Sequence, residues 1–120
     1  MEMKVSNLLT LSLLFFGTNV LVGQNADALI GKWQDRSHKN QQVEIYKKEG
    51  KYFGKAINDP SQLVFKDLTW DINSKTYKGT LINPANGEEL LVEIELSDPD
   101  NFKFSMGIFI FKKTFRFNRI

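Results

Sequence analysis

The chain has no cysteine, one histidine and three prolines among its 120 residues. Without cysteine there is no disulfide, no thiolate nucleophile, no thiolate-ligated metal and no lipid-modified N-terminal cysteine, so the fold must rest on packing alone. The one imidazole, His38, sits in the polar stretch SHKN, and no GxSxG occurs. Neither a nucleophile with its base nor a zinc site can be assembled from such a set, and no cofactor is expected. Charge of one sign is lacking too. Sixteen Lys and Arg against fourteen Asp and Glu leave a formal charge of +2, too weak a field for nucleic acid to be the main partner. Beyond residue 29 no helical period lasts longer than a turn or two.

One apolar tract is present, at the start. MEMK supplies a single base, Lys4; Val5 to Gly23 carries no charge; QNAD then turns polar. A short basic start, an apolar middle and a small-residue exit are the layout of a secretory signal peptide. Thr10, Ser12 and Asn19 dilute the tract below what a permanent membrane span requires. Residues 1–23 are therefore read as a signal segment and 24–120 as one domain, periplasmic or secreted, that meets a membrane only through this segment before cleavage. Gly23 is one candidate cleavage point. The Ala26-Asp27-Ala28 triplet fits the A-x-A pattern better but leaves only residues 29–32 before Trp33.

The rest of the chain alternates in short runs separated by turn signals, an all-β pattern. Strands are expected at Ile30 to Arg36, at QQVEIYKK (41–48), at KYFGKAI (51–57), at LVFKDLTWDI (63–72) and at TYKGTLIN (76–83). EELLVEIELS follows, with Leu90, Val92, Ile94 and Leu96 on one side and Glu93 and Glu95 on the other. FKFSM and IFIFKKTFRFNR end the chain, with Gly107 between them as a bulge or bend. Eight sequential strands predict an antiparallel up-and-down barrel, which leaves no exposed sheet edge. The alternative is a five-stranded OB-like barrel, in which two of these runs merge or drop out.

Within that pattern, GKWQD at the first strand and Arg119 at the last resemble the calycin arrangement of lipocalins and their relatives. The resemblance implies a first-strand Trp33 packed at the closed end of the barrel with Arg119 lying across its face. A guanidinium over an indole gains roughly 0.5–2 kcal/mol. Three blocks, GKWQD with VEIYKKEGKYFGKAI, YKGTLINPANGEEL, and FKFSMGIFIFKKTFRFNR, are similar in order and spacing to an exported bacterial family, domain of unknown function 2147, of small lipocalin-like barrels. The chain departs from that family at Met106, at Lys112-Lys113 and at Phe117, so the resemblance assigns no role there. The family's own activity is not established, and what the resemblance implies is fold.

Aromatic residues are concentrated at the end: six of the eight phenylalanines beyond residue 23 are Phe102, Phe104, Phe109, Phe111, Phe115 and Phe117. With Arg119 inward, period two places Phe109, Phe111, Lys113, Phe115 and Phe117 inward as well. Two readings follow. The rings fill a solid core, or Phe104, Phe111 and Phe115 line a pocket for a small apolar or aromatic ligand, with Lys113 as its polar anchor if it is buried and as a solvated loop residue if the strand bulges there. Trp70, Tyr77, Tyr46 and Tyr52 suit either a core or a rim. The first function expected is a non-enzymatic ligand-binding barrel. The second is an envelope interaction or structural module with a solid core, binding through an outer face that bears Tyr46 and Lys48. Enzymatic activity ranks third, because Glu93 and Glu95 point to water and no other carboxylate pair is singled out.

Overall fold

The computed structural model describes residues 26–108 and 111–120; the expected signal segment lies outside them. Eight strands form: β1 (Gly31–Asp35), β2 (Gln42–Lys48), β3 (Lys51–Ala56), β4 (Leu63–Asp71), β5 (Thr76–Ile82), β6 (Glu89–Asp98), β7 (Asn101–Ile108) and β8 (Phe111–Arg119). Each pairs antiparallel with its neighbour in sequence, and β1 pairs with β8, so the sheet closes into a barrel with no free edge. The five-stranded alternative is thereby excluded. Alternation sets the faces, as expected from a pleat of period two. In β6, Val92 and Ile94 are buried while Leu91 and Glu95 face out, and Glu93 accepts a hydrogen bond from the Thr76 hydroxyl at 2.8 Å.

One boundary differs from the sequence expectation. Gly107 pairs with Lys112 in an unbroken ladder that runs on to Ile108 opposite Phe111, so the last hairpin is longer than expected and Gly107 is not a bulge. IFIF carries no turn-forming residue, and an apolar run by itself does not show where a hairpin folds back. Bulges occur instead in β4, where the register shifts between Lys66 and Thr69 around Asp67 at φ 55°.

A group of large buried side chains fills the end of the barrel where β1 begins. Trp33, Leu29, Leu68, Tyr77 and Ile94 are completely buried. The Trp33 ring meets Phe102 edge-on at 4.7 Å, and Phe102 stacks on its cross-strand partner Phe117 at 5.1 Å. Such aromatic pairs contribute about 0.5–1.5 kcal/mol each beyond their burial. The Trp33 indole N–H donates to the Leu29 carbonyl at 3.0 Å, which satisfies its polar edge.

Arg119 seals this end. Its guanidinium carbon lies 4.2 Å from the centre of the Trp33 ring. Nη1 donates to Ile30 O at 3.0 Å, Nη2 to Ala28 O and Pro99 O at 2.8 Å each, and Nε to Pro99 O at 3.1 Å. The segment before β1 is thus tied to the β6–β7 turn through one side chain. Gly31 makes room for it, since a Cβ at this residue, with φ at 142°, would collide with Arg119 Nη1. Two tyrosines hold the same segment. Tyr77 donates to Ala26 O at 2.5 Å, and Tyr52 donates to Asp27 Oδ1 at 2.6 Å, where Lys47 also reaches at 3.2 Å. The Tyr52 hydroxyl and then the Lys47 ammonium hold the Asp27 carboxyl below its ordinary range. Burial, then the bond to Asp27, raises Tyr52.

Trp33→Ala is expected to destabilise the barrel by about 3–5 kcal/mol in urea unfolding, the range for truncating a buried aromatic, and Arg119→Ala by less. Gly31→Ala should cost about 1–3 kcal/mol from its backbone conformation and the collision together. Part of that cost should disappear in an Arg119→Ala background, where only the backbone strain is left. Neutral values for both Trp33→Ala and Arg119→Ala would contradict the closure described here.

Candidate functional site

Connections in an up-and-down barrel alternate between its two ends. The β1–β2, β3–β4 and β5–β6 connections therefore share the end opposite Arg119. These are the polar stretches that carry Asn40 and Gln41, Asn58 and Gln62, and Asn83. Between them lies a cavity of about 540 Å³, within the roughly 300–1,000 Å³ typical of small-molecule sites.

Its walls are aromatic and aliphatic: Phe65, Phe104, Phe115 and Phe117, with Val43 and Leu81. The rings lock one another in place. Phe104 stacks on Phe115, its cross-strand partner, at 4.9 Å, and meets Phe65 edge-on at 5.4 Å. Gly54 underlies this arrangement, because a Cβ there would lie 2.8 Å from the Phe65 ring. Below the cavity the completely buried Ile45, Leu68 and Phe102 continue into the sealed end.

One ionisable side chain lies in the cavity wall. Asp35, on β1 two residues beyond Trp33 and so on the same inward face, is 4% exposed. Its Oδ1 accepts the backbone N–H of Ser37 at 2.8 Å and of His38 at 3.2 Å, and Oδ2 lies 3.7 Å from His38 Nδ1. The carboxylate thus caps the β1–β2 turn. The His38 ring itself is largely exposed.

Of the residues picked from sequence, Phe104 is buried and Phe115 is partly buried, and both line the cavity. The Phe111 side chain and residues 109–110 lie outside what the structure describes. Lys113 keeps the inward register, opposite Met106, yet it is exposed. It stands beyond the cavity lining with its ammonium 5.5 Å from the centre of the Phe115 ring. It is therefore neither buried among the rings nor displaced by a bulge, since β8 pairs with β7 without a register shift. Trp33 and Arg119 stand at the opposite end. Tyr52 and Tyr77 belong to that sealed core, with Trp70 packed on Tyr77 at 4.9 Å. Tyr46 stacks on Phe53 at 5.8 Å on the outer face, under the Lys55 ammonium. Among the described residues no three His, Cys, Asp or Glu are grouped as metal ligands.

The sequence reading missed Asp35 and the rim amides. Period two from Trp33 would have turned Asp35 inward. The amides are scattered over three connections, and only the alternation of ends in an up-and-down barrel unites them.

Comparison with known proteins bears on the fold. No protein-family model matches the chain, and no curated protein sequence matches it. Among solved structures it is similar to protein HP1028 from the human pathogen Helicobacter pylori, described as belonging to the lipocalin family. The TM-score is 0.62 at 19% sequence identity, over 77% of this chain and 82% of that one. The barrel is therefore lipocalin-like.

Asp35→Ala is expected to lower stability by about 1–3 kcal/mol, because it leaves two turn N–H groups without their acceptor. Asp35→Asn retains one acceptor oxygen and should recover most of the loss. Thermal or urea unfolding of the two variants side by side checks this; equal losses would show that the carboxylate does not act as the cap.

Proposed function

We propose that this chain is an exported, non-enzymatic lipocalin-like barrel that holds one small, partly apolar molecule at its open end. The observation that carries the reading is the asymmetry of the interior. One end is filled by Trp33, Phe102 and Tyr77, and the other keeps about 540 Å³ of space walled by fixed aromatic rings. A core that only stabilised the fold would be expected to close such a space, since empty apolar volume is costly. Phe104 and Phe115 are the ligand-facing rings in this reading; the Phe111 side chain lies outside the described residues, and Lys113 stands beyond the lining. The three sequence blocks support a place within the family of domain of unknown function 2147.

Export rests on the composition of residues 1–23. The contacts of residues 26–28 with Tyr77, Tyr52 and Arg119 support cleavage after Gly23, because cutting after Ala28 would remove all three from the fold. The second reading, an envelope module that binds by its outer face, has the Tyr46–Phe53 stack in its favour. It calls for a solid interior, and the cavity weighs against it.

The neutral fluorescent probe phenylnaphthylamine should brighten on binding the purified barrel with a single site. Ala56→Phe, which places a ring in the cavity wall, should abolish the signal while the circular dichroism spectrum stays that of the parent. Full binding by that variant would contradict a site inside the barrel. Intact mass of the protein secreted by its host should show a chain that begins at Gln24; a chain that begins at Leu29 would overturn the placement of the cleavage site.

A further inference from the structure

The chemistry of the cavity mouth narrows the class of ligand. We propose that the site selects uncharged molecules that pair an aromatic or apolar body with an amide, hydroxyl or carbonyl group, and that it discriminates against carboxylates. This deepens the ligand-binding reading above and rests on it.

No Lys or Arg is among the described residues that line the cavity. Its polar residues are amides, with the buried Asp35 carboxylate beside them. An entering carboxylate would leave water, meet no cation and face a like charge in the wall. Burial of an unpaired charge is strongly unfavourable. A neutral polar group finds the opposite. Asn and Gln side chains both donate and accept, so they suit an amide, a hydroxyl or a carbonyl equally. Asn58 and Gln62, on the β3–β4 connection, have side chains engaged by no other described residue. Asn83 uses its oxygen to accept Ala85 N at 2.9 Å, which leaves its NH₂ free to donate. The rim thus offers donors and acceptors from the β3–β4 and β5–β6 connections around one opening. Lys113 is exposed and lies over the Phe115 ring instead of in the lining. Lys66 is taken by Glu89 at 2.8 Å.

The test uses a matched pair, naphthamide and naphthoate, of the same shape but different charge. Each is titrated against phenylnaphthylamine bound to the mature protein near neutral pH. Naphthamide should displace the probe at a concentration about tenfold lower, or more, than naphthoate. Since an amide also leaves water more readily than an anion, the variant Gln62→Lys separates the rim from the ligand's own hydrophobicity. Its backbone bonds, to Asp59 O and from Ala56 N, do not involve the side chain. Gln62→Lys should shrink the preference several-fold by strengthening naphthoate alone, whereas Lys113→Ala should leave it unchanged. Naphthoate binding as well as naphthamide, a preference unmoved by Gln62→Lys, or loss of naphthoate binding in Lys113→Ala would each overturn the selectivity while leaving the cavity reading intact. Failure of the probe itself to bind would overturn both.

Discussion

Arg119 lying on Trp33 is the contact on which the rest of the structure depends. An eight-stranded sheet becomes a barrel only when its last strand meets its first, and these two residues face each other at that seam. The indole supplies a flat, completely buried plate, and the guanidinium adds a cation–π attraction of roughly 0.5–2 kcal/mol. Its planar fork then reaches three backbone carbonyls, those of Ala28, Ile30 and Pro99. A lysine could provide the charge but not this fixed geometry. Gly31 exists in that context as the residue whose missing side chain admits the guanidinium.

Sealing one end decides where a ligand can go. Leu29, Trp33 and the paired rings of Phe102 and Phe117 occupy the interior near the seam. Further along the same two strands Phe104 and Phe115 stack in the same manner, but they border open space. One ladder of cross-strand aromatic pairs on β7 and β8 therefore serves as core at one end and as cavity wall at the other. The change comes from what faces the ladder: large side chains at the sealed end, small and medium ones such as Ala56, Val43 and Val64 near the mouth.

Much of this was legible in the residues. Period-two alternation in VEIYKK and LLVEIEL fixed the faces of β2 and β6, and the spacing from Arg119 put Phe115 and Phe117 inward. The tip of the last hairpin was not legible, because IFIF has no glycine, proline or asparagine to mark a turn. The state of Lys113 was also out of reach. Alternation tells which face a residue takes but not how far along the barrel it stands, and Lys113 is far enough along to reach solvent. The rim was hidden for a related reason: its amides share an end only once the topology is known, and each of the stretches SHKNQQ, NDPSQ and NPANG reads separately as an ordinary polar turn.

The central claim is that the two ends differ, one held shut by Arg119 on Trp33 and the other open to a small molecule. Backbone and indole amide NMR signals recorded while phenylnaphthylamine is added test it most directly. The account predicts shifts at Val43, Ala56, Gln62 and Leu81 around the cavity, with the Trp33 indole signal unmoved. Shifts at the Trp33 indole with none at Ala56 or Gln62 would contradict it.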